Sequence, residues 1–517
     1  MHIGLLPLDE RPANTRDPAM IAAIAGARLH IPPAARLSAR RRPANCATLI
    51  NWLDTVAPQL DALIVSCEML GYGGLIAART SDEPASAIIA RLDWLRTLRT
   101  RFPGLPILGF NVITRVSNAD DSIEEPEYWA SYGTRLYRFA QLLDQRGQGL
   151  AIDAELATLE ANIPTAHQHD FLQRRLRNHS VNLAVLHLLA AGVFDTLVLS
   201  SDDTSPYGLP SREKRWLQEW AQLLGFGNDL AASPGAQPLA QPRLLMYPGA
   251  DEVGSALVAR LLNAQAGVAP WFAATYAPPH AAANVAAYED GPIRLTLERQ
   301  VHAVGGRMIE QGDAADIWLA VNAPLARRSE WLPEFAAAER TSRWDELQTL
   351  ANAIAARQAR GQPVAVLDVA YPNGADPAFS ELLFAQAALP ELAAYGAWNT
   401  AGNTIGTALA QASVARLIAG ASGRAAHERF LLHRLLEDWG YQHLVRAELR
   451  AWLRATHATA EPDAATLPAA LAFIEERLNT LIGQLPGFAG RYRITPSSVR
   501  LPWGRTFEVD FVLEAAH

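Results

Sequence analysis

The chain has 517 residues, half of them hydrophobic and 19% charged, with a net charge of −8 and a pI near 5.9. That apolar content supports a large buried core and excludes a disordered chain, while the acidic balance argues against a nucleic-acid partner, which needs a basic face. Cys46 and Cys67, the two cysteines, stand outside any CxxC or Cys/His spacing, so neither a disulfide framework nor a thiolate metal site is expected.

Short Val/Ile/Leu-rich runs predict strands at Ile3 to Leu8, Ala62 to Cys67, Pro106 to Ile113, Thr196 to Ser201 and Arg243 to Tyr247. Further runs follow at Pro270 to Thr275, Asp316 to Asn322, Val364 to Ala370 and Ala394 to Trp398. Amphipathic helices fill the gaps, among them Glu83 to Arg101, Arg212 to Leu224, Val253 to Ala266, Trp344 to Arg360 and Asn403 to Ile418. The alternation implies an α/β fold with parallel strands. Polar clusters follow nearly every strand instead of one switch point per sheet, which favours a (β/α)8-like barrel with one extra strand over residues 1–420. Two tandem doubly wound α/β domains are the alternative. Residues 118–180, opening on the acidic stretch NADDSIEEPEYW, read as a helical insertion able to form a lid or wall. The alternation ends near residue 421, and 421–517 reads as a small C-terminal α+β domain of helices and a hairpin-like pair.

The basic run Arg36 to Arg42 lies in a Pro/Ala-rich connection and reads as a solvated loop. No apolar stretch reaches about 18 residues without charge, and HIGLLPLDERP enters a strand with no basic leader or cleavage site. A cytoplasmic protein with no membrane partner is expected.

The chemistry gathers where strands end. LVLSSDDTSPYG and RLLMYPGADEVG each carry adjacent acids between a strand and a helix, where α/β enzymes hold their catalytic groups. Asp202–Asp203 form the leading acid pair and Asp251–Glu252 the next, with helix capping as the structural alternative for both. Neighbouring carboxyls can divide roles, one protonated and donating, the other ionised and stabilising. Asp9, Arg11 and Asn14 follow the first strand, Glu68 and Tyr72 the second, Asn111 and Arg115 the third; Gly71, Gly73 and Gly74 would let backbone approach a ligand. Tyr207, Tyr371, Tyr395 and Trp398 are candidates to stack on sugar faces or to pack in the core. Asp368, Asn373, Asp376, Asn399 and Asn403 match vicinal hydroxyls. This set points to carbohydrate or another polyhydroxylated small molecule as partner.

GYGG lacks phosphate-loop spacing, no GxSxG elbow appears, and histidines are scarce at strand ends, which disfavours Rossmann cofactor, serine-hydrolase and zinc-hydrolase readings. Asp9, Asp202, Asp368 and Asp376 offer hard oxygens, so a Mg or Mn site is the alternative to a cofactor-free enzyme.

LVLSSDDT resembles the Asp–Asp segment of O-GlcNAcase-type hexosaminidases, and WNTAGNT their later Trp–Asn segment, whose amides hold substrate hydroxyls. YPGADEV is similar to the Gly–Gly–Asp–Glu motif of family 20 β-N-acetylhexosaminidases, with Ala250 in place of the second glycine. That likeness implies Asp251 on an acetamido group and Glu252 as acid. Across nearly the whole chain, PLDERPANTR, SCEMLGYGGLIAAR, SSDDTSPYG, YPGADEVG, AYED, DVAYPNGAD and AYGAWNTAGNTIGT resemble signature segments of a bacterial family catalogued only as a domain of unknown function. The expectation is therefore a hexosaminidase-like glycoside hydrolase working through a carboxyl pair. A divalent-metal-dependent lyase, isomerase or hydrolase on a small polar metabolite is the alternative, and a non-catalytic carbohydrate-binding protein a third.

Overall fold

The computed structural model describes residues 1–226, 242–326, 329–332 and 336–516, with the side chains of 336–341 excluded. The chain divides into two compact units. The first comprises Met1–Glu10, Ala27–Leu257 and Tyr288–Asp290; the second comprises Arg11–Gly26, Val258–Ala287 and Gly291–His517.

The first unit is built on strands β1 (His2–Leu6), β2 (Arg28–His30), β3 (Ala62–Ser66), β4 (Ile107–Ile113), β5 (Thr196–Ser201) and β6 (Leu244–Pro248). They form one sheet in the order β2-β1-β3-β4-β5-β6, with every pairing parallel. β3, β4, β5 and β6 are buried at every residue, which their continuous apolar runs require. Ile88, Leu92 and Leu95 of the helix Ala85–Arg101 and Val185 and Leu189 of the helix Thr165–Ala190 share a core with Leu63, Val65 and Ile107. Residues 118–180 hold the helices Trp129–Gly147 and Asp153–Ala161 and the start of Thr165–Ala190, around a separate small core of Trp129, Leu136, Phe139 and Phe171.

The second unit carries β7 (Trp271–Ala277), β8 (Arg307–Met308), β9 (Ile317–Asn322), β10 (Val364–Asp368) and β11 (Ala394–Gly396). Their order is β11-β10-β9-β7-β8, again all parallel. Numbered within each unit, both sheets begin 2-1-3-4-5, the order of an open doubly wound sheet with its switch point between the first and third strands.

This overturns the barrel. The strands belong to two open sheets, and the alternative of two tandem doubly wound units describes them. The barrel reading failed because it lacked β2 and β8, the short edge strands that turn each run of crossovers back on itself. The boundary also falls elsewhere than at residue 420. Phe488, Ile494, Val509 and Phe511 join Val364, Val366, Leu350 and Ile354 in one core, so 421–517 packs as part of the second unit. Its terminal strands, β12 (Tyr492–Ile494) and β13 (Leu513–Ala515), pair antiparallel. No helix among the described residues is long and apolar enough to cross a membrane.

Candidate functional site

In the first unit the loops leaving β4, β5 and β6 meet at the carboxyl edge of the sheet. The sheet register pairs Ser201 with Pro248. Backbone hydrogen bonds carry the alignment past the strand ends: Asp202 N donates to Ile113 O at 3.3 Å and Gly249 N to Ser201 O at 2.9 Å. Adjacent parallel strands lie about 4.8 Å apart, so the Asp202–Asp203 and Asp251–Glu252 pairs start from neighbouring positions. A fourth segment joins them, because Thr204 N donates to Tyr288 O at 2.7 Å and Lys214 pairs with Asp290 at 2.9 Å. Those bonds bring Tyr288–Asp290 of the AYED stretch to the rim, although it follows no strand in sequence.

The two acid pairs differ in their surroundings. Asp202 is ion-paired with Arg79, and Asp203 with Arg115 at 2.7 Å. Arg79 also reaches Glu124 at 2.7 Å, and Arg115 reaches Glu124 at 3.1 Å and Glu125 at 3.3 Å. The acidic opening of the insertion thus folds onto two arginines, and Arg41 of the basic run donates to the Glu125 carbonyl at 2.9 Å. Burial and the Asp202 charge raise the Asp203 carboxyl, against the opposing pull of Arg115.

Glu252 is 1% exposed, and burial pushes its carboxyl up to about 8. Asp251 and Glu289 push the same way, while the backbone groups of Glu252 and Ala250 oppose them. The preceding glycine is needed for this arrangement. Gly249 has φ +135, and a Cβ there would run into the Glu252 carboxyl. Near neutral pH the buried Glu252 carboxyl therefore keeps its proton, the state that proton donation to a leaving oxygen requires.

Next to Asp203 a small niche is lined by Tyr207, Ser205 and Gly208 and by Tyr137, Ala140 and Gln141 of the helix Trp129–Gly147. The insertion forms a wall here. Asp144 on that helix accepts from Gly208 N at 3.0 Å and pairs with Arg215, which ties the wall to the helix Leu209–Ala221.

Other expected residues of this unit serve its own structure. Glu68 is fully enclosed: its carboxyl accepts from Asn111 Nδ2, from Val112 N at 2.7 Å and from Ser66 Oγ at 3.2 Å, and burial raises it to about 7. Tyr72 donates to Asn178 Oδ1 at 3.1 Å within the core. Side chains at Gly71, Gly73 and Gly74 would meet Ile88, Ala44 and Ser38, so these glycines make room for the protein's own packing instead of a ligand. Asp9 is 1% exposed at the end of β1, beside the switch point.

The second unit holds the remaining expected residues. At the ends of β9 and β10, Asn322 Nδ2 donates to Asp368 Oδ1 at 2.8 Å and to Asp376 Oδ2 at 3.2 Å. Arg343 reaches Asp376 at 2.8 Å and Asn322 Oδ1 at 2.7 Å. Asp376 also caps the helix Pro377–Gln386. Burial, then the Asp376 charge, raises the Asp368 carboxyl. Tyr395 and Trp398 are 1% and 2% exposed, and Trp398 lies under the Arg434 guanidinium, so both are core residues and not open stacking faces. Asn373 and Asn399 adopt left-handed backbone, and Asn373 N donates to Asn399 O at 2.9 Å. Asn373 Nδ2 reaches Glu330 at 2.7 Å. Tyr371 lines a second niche with Pro324, Leu325, Val369 and Ala401. Asn403 lies in the first turn of the helix Ala401–Ala415, its N–H capped by Thr400. Arg11 and Asn14 are buried at the start of Pro12–Ile24, with Arg11 4.6 Å over the Trp503 ring.

Of the four aspartates offered for Mg or Mn, Asp9 and Asp202 belong to the first unit and Asp368 and Asp376 to the second. Among the described residues no group of three or more His, Cys, Asp or Glu side chains is arranged to hold a metal ion. Arg79, Glu124, Glu125 and Glu289 join the site although none follows a strand directly; their signals in the sequence are the acidic NADDSIEEPEYW stretch for the two neighbouring glutamates and AYED for Glu289.

Two open parallel sheets, the first bearing buried carboxyls over its carboxyl edge, define a tandem doubly wound α/β protein. The chain belongs to the family described as Protein of unknown function (DUF4127), whose model matches residues 3–512. No curated protein matches it, and no solved structure does.

Proposed function

We propose that this protein is a glycoside hydrolase, hexosaminidase-like in its use of neighbouring carboxyls, with Glu252 as the general acid. The observation that carries this reading is the buried Glu252 carboxyl, raised to about 8 at the end of β6. A carboxyl that keeps its proton at neutral pH can give it to a glycosidic oxygen as the bond to the anomeric carbon breaks. Asp251, next to it, would hold a 2-acetamido group in a substrate-assisted route, in which the sugar's own amide oxygen attacks. Asp202 and Asp203, first in line from the sequence, pass to a supporting role. Ion-paired with Arg79 and Arg115, they hold the loop after β5 against the acidic opening of the insertion and so shape the edge of the site. Tyr207, beside the Asp203 niche, is the residue best placed to contact the substrate.

The test is a screen of chromogenic glycosides, N-acetylhexosaminides first, with and without chelator. Glu252→Gln is expected to fold normally and lose turnover by ~10² to 10⁴ on the best substrate. Full activity of that variant would falsify the assignment. Activity that disappears with chelator would favour the divalent-metal lyase, isomerase or hydrolase.

A further inference from the structure

Two helices of the first unit leave large apolar side chains in solvent on a shared face. On the helix Thr165–Ala190 these are Leu172 and Leu176, 37% and 68% exposed. On Leu209–Ala221 and its continuation Gln222–Phe226 they are Trp216, Trp220, Leu223 and Leu224, 40%, 51%, 78% and 45% exposed. The second set is spaced i, i+4, i+7, i+8, which places it along one helical stripe. His179, about one turn beyond Leu176, has its ring 5.5 Å from that of Trp216, so the two rows join. The inward faces of the same helices already bury Val185, Leu189, Leu217 and Ala221 completely. The outer stripe therefore adds nothing to the core beneath it.

Weighted by these exposures, the six side chains present roughly 600 Å² of apolar surface, the upper end of what single soluble chains show. A stable interface takes about 800 Å² from each partner, so this stripe with its rim approaches one half of such a contact.

We propose that this face joins two copies of the chain. The partner is a second copy because the stripe lacks the bias in charge that selects a charged ligand, and an apolar row is complementary to itself. Contact about a two-fold axis is satisfied by the same patch on each side. An antiparallel crossing between Trp216 and Trp220 sets Trp216 of one copy against Trp220 of the other. Arg212, whose guanidinium lies 4.7 Å over the Trp216 ring, and Glu219 then border the contact with opposite charges.

Sedimentation velocity at micromolar concentration tests this on the full chain. The expected mass is twice the 56.1 kDa of one chain. Trp220→Glu and Leu223→Glu, both on the solvent side, should weaken self-association by roughly 100-fold or more and sediment as single chains, with unchanged circular dichroism and Tm. A single-chain mass for the unmodified protein overturns the proposal, even if a variant fails to fold. Folded variants that remain paired overturn it as well.

Discussion

Glu252 holds its proton because of where it sits, and the consequences for pH have a definite sign. Its folded pKa near 8 lies above the ordinary 4.5, so folding takes up a proton between those values. The contribution to stability is complete below about 4.5 and is lost as pH rises through about 8. Glu252→Gln has no charge to bury, so its Tm should fall less than that of the unmodified protein between pH 5 and 8. Thermal melts across that range check this. Activity should decline above pH 8 as the acid loses its proton, and any residual activity of the variant should lack that limb. Gly249 supports the same carboxyl. Gly249→Ala must adopt an unfavourable φ and displace Glu252, at a cost of about 1–3 kcal/mol with loss of turnover. Unchanged urea midpoint and rate would remove the case for this contact. The acids themselves were visible as doublets after strands. Their different surroundings were not, because these depend on Arg79, Arg115, Glu124 and Glu289 arriving from other parts of the chain.

At the scale of elements, all nine strands expected from apolar runs are present, with ends within a few residues. The two that escaped, β2 and β8, are edge strands of three and two residues, RLH and RM, and are partly exposed throughout. At two or three residues, with arginine or histidine in the run and neither face closed over, they leave no hydrophobic run to read, unlike the buried edge strands β6 and β11. Their absence made nine strands look like one closed barrel. The insertion was legible as helical, and its wall is fastened at Asp144. This carboxylate is 1% exposed and accepts from Gly208 N at the start of Leu209–Ala221. Removing it leaves that N–H and Arg215 without their acceptor, so Asp144→Ala should cost about 2 kcal/mol. It should raise KM more than it lowers kcat, because the niche beside Asp203 loses its wall. Denaturant titration and steady-state kinetics on the best glycoside measure both effects.

At the scale of the whole molecule, neither unit is a continuous stretch of chain. The second takes Arg11–Gly26 from near the amino terminus, where Arg16 pairs with Asp510 at 2.5 Å and with Glu437 at 3.1 Å. Ala419 N donates to Ile24 O at 3.1 Å, and Gly423 packs on the same carbonyl. A fragment of residues 258–517 keeps all five strands of its sheet but loses these partners, taking Arg16 away from Asp510 and leaving Glu437 paired with Arg434. It should unfold at a lower temperature than the full chain, with a broader transition in circular dichroism. An equally cooperative melt at the same temperature would show that the amino-terminal segment is dispensable.

The sequence by itself determined the α/β class, the buried strands, the helical insertion and the acid pairs that follow β5 and β6, because hydrophobic periodicity and the residues after it are properties of neighbouring positions. Only the tertiary structure decided that the strands form two sheets, which acid keeps its proton, and that Trp398 and Tyr395 lie inside the core. Each of those depends on groups that only the fold brings together, Glu289 beside Glu252 and Arg434 over Trp398, and a carboxyl's charge follows from what surrounds it in space, not from what precedes it in the chain.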